Sequence, residues 1–547
     1  MEDEQVPPSR VPLLQRPTTR RALLAGSAAV AAAGAAATVV GLSLQGGGGT
    51  SGSPATSGGA PGGAGAAGAA PGAPQTIAAT GPISDPRRRG AHLLRRAGFG
   101  GTPTEISEFA TLSREEAADR LLDFQDIDDS ALNARLQTAG PTDLNTMRPD
   151  QANRWWLTRM AYTPRPLEER MTLIWHGLLT SQVSKIGGQR FKLMLIQNEL
   201  FRKNALPRYD DLLKAIGKDP AMMAYLDTQL STKEQPNENY ARELMELFSM
   251  GVGNYTEDDV RESARAFTGW RVSPPPRPMT PLANLTAQER RELQQKSYAD
   301  WQPQFLVQQR QHDAGSKSFL GRTGNFDGDD IVDIIMGQPA TGRYMARRLF
   351  TEFANYNPDA ATVDRLARVW EASGHQVHDV VRAILVSDEF YSEASYRGFV
   401  RSPVEFVVGA MRGLELDLTA AVAGQGRTRR LDGNSFTRMD QVLFEPPSVA
   451  GWPGGATWLS SSTFFARVNY LDAVLFPGRR PAPIPVLAAA RTPELMVDAA
   501  LDRLVDGNVS DTARDSLYAY AATVANPEER AAAVAYLVLA SPEYQLV

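Results

Sequence analysis

Six side chains in three separate segments could carry out acid–base or metal chemistry: His176, Glu243, Glu246, His312, Asp313 and Lys317. Imidazole and carboxylate groups bind hard or borderline cations, and a further carboxylate can take a proton from metal-bound water. The ligands of such a metal site would be His176, Glu243, His312 and Asp313. Glu246 would then be the general base of a metal-assisted hydrolase.

The helical segments that carry His176 and Glu243 also allow a structural interpretation. His176 lies among Leu173 and Trp175 in an apolar helical pattern, which fits a buried histidine hydrogen-bonded to a neighbour. Glu243 adjoins the apolar Leu244, where a carboxylate needs a partner. A salt bridge between buried helices would supply that partner as well as a metal would.

The loop of residues 312–317 brings an acid, a base and a cation close together. Gly315 would let a ligand approach the backbone closely. The loop differs from a phosphate-binding loop, because the first glycine of that motif is missing and no strand-to-helix order follows. The structural alternative is a loop held by a contact between Asp313 and Lys317.

A glycine-rich stretch contains two tryptophans, Trp452 and Trp458, which we take as candidate binding residues. An exposed indole beside glycine suits stacking on a sugar ring, because it offers a flat apolar face and a polar edge. The alternative is that these side chains cover the core. The sequence contains no serine-hydrolase elbow, zinc-protease helix or dinucleotide-binding fingerprint.

Composition excludes several classes of function. The chain of 547 residues has no cysteine, which excludes disulfides, thiolate zinc sites, iron–sulfur clusters and cysteine nucleophiles. The formal net charge is −5, and residues 85–547 alone are slightly more acidic. This charge argues against a general binder of nucleic acid or of anionic lipid, since both need a basic surface.

The N-terminal segment predicts export. Arg20 and Arg21 stand directly before the apolar residues 22–44, which is the layout of a twin-arginine signal. A retained membrane anchor is the alternative to a cleaved signal, because this uncharged run is long enough to span a bilayer. Either places the rest of the chain outside the cytoplasm, secreted or tethered to the membrane. We assign residues 1–44 to the signal or anchor, and the Gly-, Ala-, Pro- and Ser-rich residues 45–84 to a disordered linker.

Residues 85–547 predict one large all-α domain. Helix starts and stops recur at short intervals, among them a capping box of Ser113 with Glu116 and the cap Asp219 before Pro220. Two short extended pieces, residues 305–309 and 318–321, are expected to form one small hairpin. The polar, proline-containing stretch of residues 271–304 is expected on the surface.

Ordered stretches of the sequence resemble a known family, the bacterial domain of unknown function 1800. They are HLLRRAGFG from His92, RPLEERMTLIWH ending at His176, NENYARELMELFSMGVGNYTEDDV from Asn237, TGW from Thr268, HDAGSKSFLGRTGNFDG from His312, ILVSDEF from Ile384, SPVEF from Ser402 and FEPPSVAGWPGG from Phe444. As an ordered set spanning about residues 85–475 they are specific. The resemblance favours one domain over several.

The resemblance implies an exported bacterial protein without an established activity, often encoded near a sulfatase-like partner of the domain of unknown function 1501 family. Family members often have a second histidine two positions after the one matching His176, where this chain has Leu178. The resemblance therefore makes a histidine-rich metal site at this helix less expected. Two hypotheses remain. One is a non-catalytic exported protein that binds a co-exported partner or a polymer of the cell envelope; the other is the metal-assisted hydrolase.

Overall fold

Helices form most of the part of the chain that the structure describes, because capping residues and apolar helical spacing recur along it. The computed structural model describes residues 83–139, 142–276, 285–416 and 433–547. The all-α prediction is confirmed over these residues. The α-helices are Pro86–Arg96, Pro103–Ala110, Arg114–Leu122, Ser130–Ala139, Pro149–Tyr162, Pro166–Leu178, Val183–Ile186, Lys192–Lys203, Tyr209–Gly217, Pro220–Tyr225, Asn239–Glu246, Glu257–Ala266, Ala287–Asp300, Gly328–Met336, Pro339–Phe353, Ala360–Ala372, Val377–Leu385, Pro403–Leu414, Gly433–Arg438, Ser461–Leu475, Pro485–Ala488, Pro493–Val505, Asp511–Thr523, Pro527–Leu539 and Pro542–Gln545.

Short elements complete the secondary structure. The single-turn 3₁₀ helices are Gly188–Arg190, Thr228–Leu230, Gln309–Gln311, Gly455–Leu459 and Pro477–Arg479. The strands are β1 (Trp270–Val272), β2 (Phe305–Val307), β3 (Lys317–Phe319) and β4 (Arg322–Gly324).

Both helix starts named in the sequence are confirmed. Ser113 and Glu116 each accept a hydrogen bond from the backbone N–H of the other, which completes the capping box. The Asp219 carboxylate accepts from two N–H groups in the first turn of the helix Pro220–Tyr225. These contacts satisfy donors that a helix start leaves without an intrahelical acceptor.

The predicted hairpin of residues 305–309 and 318–321 is wrong, because the two pieces pair with other strands. β2 runs antiparallel to β1, and β3 runs antiparallel to β4. Residues 320–321 have positive φ angles of 46° and 77° and turn the chain back at once, so β3 pairs with the strand that follows it. The surface prediction holds for the helix Ala287–Asp300, which contains no buried residue.

A buried ion-pair centre fixes the helix Pro166–Leu178, which carries part of the site described below. The fully buried Glu169 accepts hydrogen bonds from Trp156 at 2.9 Å, from Arg159 at 2.9 Å and from Arg202 at 2.7 Å. Burial opposes ionisation, but the two guanidinium groups outweigh it and lower the pKa of Glu169 to about 2. The carboxylate therefore stays ionised and joins three helices.

The described residues of Ala79–Val509 and of Leu517–Val547 form one compact unit. No helix within the described ranges is long and apolar enough to cross a membrane.

The predicted export signal or anchor, with Arg20 and Arg21, lies outside the described residues, as does the predicted linker up to residue 82. Ile83, which the sequence placed in the linker, is buried, and its N–H donates to the Tyr391 carbonyl oxygen. Ile83 therefore belongs to the packed domain, although it lies two residues before the expected boundary at residue 85.

Candidate functional site

The loop of residues 312–317 is fixed by its own backbone and by one arginine. His312 Nδ1 lies 2.9 Å from the Thr268 carbonyl oxygen. Arg265 binds both carboxylate oxygens of Asp313, at 2.7 and 3.3 Å, and holds the pKa of that group below its ordinary value. The buried Lys317 ammonium donates to two carbonyl oxygens of the loop, at 2.7 and 3.1 Å. The structural alternative predicted a loop held by a contact between Asp313 and Lys317. That contact is present, but Lys317 donates to the Asp313 carbonyl oxygen, whereas the Asp313 carboxylate pairs with Arg265.

Glu243 and Glu246 lie close together on the helix Asn239–Glu246. Glu246 accepts a hydrogen bond of 2.9 Å from the Tyr255 hydroxyl. Glu243 is half-buried, and burial together with the neighbouring charge of Glu246 raises its pKa. Among the residues that the structure describes, Glu243 forms no ion pair. The interhelical salt bridge expected for it is therefore absent from this part of the chain.

His176 is a buried histidine that is hydrogen-bonded to a neighbouring segment, as the structural interpretation held. Its Nε2 accepts a hydrogen bond of 3.0 Å from the backbone N–H of Phe444. Its ring meets those of Trp156 and Trp452 edge-on, at centroid distances of 5.5 and 5.3 Å. Burial lowers the pKa of His176 to about 3, so the imidazole is neutral at neutral pH.

The side chains suggested as metal ligands do not come together. Over the described ranges, no group of three or more His, Cys, Asp or Glu side chains is placed to hold a metal ion. The described part of the structure therefore does not assemble the predicted ligand set of His176, Glu243, His312 and Asp313. Two of these side chains already have other partners. His176 Nε2 accepts a hydrogen bond from a backbone N–H, and the Asp313 carboxylate pairs with the Arg265 guanidinium.

Trp452 and Trp458, the candidate binding residues, line one cavity, which we call the tryptophan cavity. Its volume of about 330 Å³ lies at the lower end of the range for small-ligand sites, about 300–1,000 Å³. Tyr356 and Phe399 extend its aromatic wall, and their ring centroids are 4.2 Å apart. Tyr356 is 46% exposed, so part of this aromatic surface meets solvent. Trp452 thus both contacts the buried His176 and contributes to a cavity wall.

Three helical segments form the other walls of the tryptophan cavity. Side chains three or four positions apart share one face of a helix. The helix Pro166–Leu178 contributes one such face: Arg170, Leu173, Ile174 and Gly177. The helix Pro339–Phe353 contributes Arg348, Thr351 and Glu352. The start of the helix Pro403–Leu414 contributes its cap Ser402 and Glu405.

Two ion pairs lie on these walls. Arg170 pairs with Glu405, and both side chains are buried. Arg348 lies 3.1 Å from Glu352, one turn further along the same helix, and the Arg348 side chain is 36% exposed. The first pair is therefore a fixed part of the wall, whereas the second is open to solvent.

Three buried arginines lie directly behind the lining: Arg96, Arg401 and Arg467. The Arg96 guanidinium lies 3.5 Å from the Phe399 ring centroid, and Arg467 donates to the Trp458 carbonyl oxygen at 3.0 Å. Burial lowers the pKa of Arg467 to about 10, and the charge of Arg401 adds to this effect. These cations have carbonyl oxygens and aromatic rings as near neighbours, and the Glu405 carboxylate also acts on all three of them.

The segment of residues 444–458, here called the tryptophan loop, is docked onto the end of the helix Pro166–Leu178. Besides the contact from His176 to Phe444, the Thr180 hydroxyl donates to the Val449 carbonyl oxygen at 2.8 Å. Gly451 has a φ of 80°, and a Cβ atom there would lie 2.1 Å from the Gly177 carbonyl oxygen. Only glycine allows the loop to approach this closely and to present its aromatic side chains to the cavity.

A family model described as "Protein of unknown function (DUF1800)" matches residues 92–546, well over half of the chain. The chain belongs to this family. No curated protein and no solved structure matches it. The match continues to residue 546, beyond the segments up to about residue 475 on which the sequence resemblance rests.

Three of the stretches that suggested the DUF1800 family meet at the tryptophan cavity. RPLEERMTLIWH contains Arg170, SPVEF contains Glu405, and FEPPSVAGWPGG contains Trp452. Sequence reasoning missed nine polar or aromatic residues of this site: Arg170, Arg348, Thr351, Glu352, Tyr356, Phe399, Ser402, Glu405 and Gln441. A local signal existed for two of them, the helical spacing that follows Arg170 and the capping-box spacing that ends at Glu405.

Proposed function

We propose that this DUF1800 protein is a non-catalytic binding protein of the cell envelope that holds a carbohydrate segment in the tryptophan cavity. The observation that carries the proposal is the union of Trp452 and Trp458 with charged and polar side chains in one cavity. Sugar rings stack their C–H faces on aromatic rings, while their hydroxyl groups form hydrogen bonds with planar polar side chains.

The polarity of the walls favours a carbohydrate over an apolar ligand. The lining includes seven side chains that can form hydrogen bonds besides the aromatic ones: Arg170, Arg348, Thr351, Glu352, Ser402, Glu405 and Gln441. An apolar ligand would displace water from these groups and offer no hydrogen bond in return. A saccharide supplies donors and acceptors around its edge and an apolar face for the rings.

Export is part of the same proposal. The layout around Arg20 and Arg21 would place the domain outside the cytoplasm, where it would meet polymers of the envelope. The family resemblance adds a candidate protein partner, the sulfatase-like protein of the domain of unknown function 1501 family. The protein would be able to bind a co-exported partner and an envelope glycan at the same time if only the glycan occupies the cavity.

Calorimetry and sedimentation test this function together. We expect the purified domain to sediment with peptidoglycan sacculi and to bind the tetrasaccharide of N-acetylglucosamine with quenching of tryptophan fluorescence. Trp452→Ala and Trp458→Ala should each weaken binding about tenfold or more, because each removes a stacking face. Phe465→Ala is the matched control, since Phe465 is an aromatic side chain that is 64% exposed and does not line the cavity.

Two results would contradict the proposal. Absence of binding to both sacculi and the tetrasaccharide would exclude carbohydrate as the ligand of this cavity. Capture of the partner protein that depends on Trp452 and Trp458 would assign the cavity to a protein instead. Far-ultraviolet circular dichroism of each variant checks that the loss of binding does not come from unfolding.

A further inference from the structure

We infer that the saccharide held in the tryptophan cavity carries a carboxylate and that Arg348 recognises it. This inference rests on the proposed function and adds to it the charge and the chemical class of the ligand.

The unpartnered buried side-chain atoms of the cavity's lining residues are all hydrogen-bond donors. Three buried N–H groups have no acceptor among the described residues: Nε of Arg170, Nε of Arg348 and Nε1 of Trp458. An unpartnered donor in a buried position is destabilising. These atoms are closed to solvent as the side chains stand, so a ligand oxygen meets Nε of Arg348 once that side chain leaves Glu352 and turns into the cavity. A carboxylate offers two oxygens and no donor, which complements this wall.

The charges around the cavity also favour an anion. Five guanidinium groups lie on the wall or directly behind it: Arg170, Arg348, Arg96, Arg401 and Arg467. The carboxylates on the wall are those of Glu352 and Glu405. In a cleft with walls of low dielectric constant, an excess of one charge attracts ligands of the opposite sign.

Among the arginines of the wall, Arg348 is the one free to exchange its partner. Arg170 is buried, and it is held by the Glu405 carboxylate and by the Glu352 carbonyl oxygen. Arg348 has a side chain that is 36% exposed and pairs with Glu352 one turn away on the same helix. Such solvent-exposed pairs are weak, so a ligand carboxylate can replace Glu352.

The geometry of the guanidinium group suits an anion that presents two oxygens in one plane, as a carboxylate does. The Nε and one Nη of arginine form a planar fork that matches the two carboxylate oxygens, and Nε of Arg348 is unpartnered in the described residues. Stacking on Trp452 and pairing with Arg348 would occur within one cavity of about 330 Å³. The ligand that meets both requirements is an acidic saccharide, such as a wall sugar bearing a carboxylate on an ether substituent.

A matched pair of ligands tests the inference. The disaccharide of N-acetylglucosamine and N-acetylmuramic acid carries a carboxylate, whereas the disaccharide of N-acetylglucosamine has similar rings and none. We expect calorimetry at low salt to give at least about tenfold tighter binding of the acidic disaccharide. The preference should shrink as the salt concentration rises, because the contact with the half-exposed Arg348 is screened.

Variants assign the preference to one arginine. Arg348→Ala should lower the affinity for the acidic disaccharide about tenfold to a hundredfold and that for the neutral one by a much smaller factor, so that the preference for the acidic ligand is lost. Arg348→Lys, which keeps the charge but loses the fork, should recover only part of the preference. Arg347→Ala is the control, because Arg347 is an exposed arginine at the next position that does not line the cavity.

The contrary outcomes are distinct. Equal affinity for the two disaccharides, or binding of neither while sacculi still bind, overturns the inference and leaves the proposed function standing. Absence of binding to the disaccharides, the tetrasaccharide and sacculi overturns the proposed function as well. A preference that survives Arg348→Ala overturns the assignment to Arg348. Tighter binding of N-acetylglucosamine 1-phosphate than of the carboxylated disaccharide identifies the anion as a phosphate and overturns the carboxylate.

Discussion

The Nε2 atom of His176 accepts a hydrogen bond of 3.0 Å from the backbone N–H of Phe444, where the tryptophan loop begins. Phe444 has a φ of 65°, a conformation that a bulky residue adopts only when its surroundings fix it. The same imidazole touches the ring of Trp452. His176 does not itself line the cavity, so it is a positioning residue that acts through the loop.

The first prediction concerns pH, because this hydrogen bond requires a neutral imidazole. The pKa of His176 is about 3 in the folded protein against an ordinary value of 6.5. The unfolded chain therefore binds an extra proton between these values, and stability is complete above pH 6.5 and falls as the pH drops toward 3. We expect this one group to contribute a slope of up to about 1.4 kcal/mol per pH unit in urea unfolding.

The variant His176→Gln isolates that contribution. Glutamine offers an acceptor to the Phe444 N–H but does not titrate. Its unfolding free energy between pH 4 and pH 6.5 should therefore fall less steeply than that of the unchanged protein. The two slopes should differ by up to about 1.4 kcal/mol per pH unit, the value for one proton. Equal slopes would show that His176 does not remain neutral in the folded state.

Local features of the fold could be predicted from sequence, whereas most of the residues that line the tryptophan cavity could not. The capping box of Ser113 and Glu116 and the cap Asp219 depend on contacts within three positions, so their spacing alone reveals them. The hairpin prediction failed because β2 pairs with β1, which lies across a long insertion. No local pattern indicates such a pairing.

The same distinction explains the candidate residues. Trp452 and Trp458 were recognised because indole next to glycine is itself unusual, and they do line the cavity. The sequence offers Asp313 as a metal ligand because nothing local shows its partner. That partner, Arg265, lies 48 positions away. The helix carrying Arg348 is brought to the cavity only by packing, since about 170 positions separate it from the helix Pro166–Leu178.

The second prediction tests export and is independent of the ligand. Changing both Arg20 and Arg21 to lysine preserves the charge but removes the planar donor forks of a twin-arginine signal. We expect cell fractionation to find the double variant retained inside the cell. Because the chain has no cysteine, the retained protein should still be folded and resistant to protease. Normal export of the variant would indicate a general secretory signal or a plain anchor.

The third prediction concerns the close approach of the tryptophan loop to the helix Pro166–Leu178. In Gly451→Ala the added Cβ would lie 2.1 Å from the Gly177 carbonyl oxygen. The position of the Cβ is fixed by the backbone of residue 451, and the oxygen belongs to the backbone of residue 177. Neither can move without displacing its segment, so we expect the loop to shift away from the helix. Urea unfolding should show a loss beyond the backbone strain of about 1–3 kcal/mol, and saccharide binding should weaken because Trp452 moves with the loop.

Gly253→Ala separates the clash from the strain. Gly253 has a similar φ of 89°, but a Cβ there meets no atom within 4 Å, so this variant bears the backbone strain alone. Its unfolding free energy should therefore fall less than that of Gly451→Ala, and its affinity for the saccharide should not change. If the two variants lose equal stability and both bind normally, the contact between Gly451 and Gly177 does not position the cavity wall. A larger loss confined to Gly451→Ala, together with weaker binding, would show that one backbone contact outside the cavity sets the position of its aromatic face.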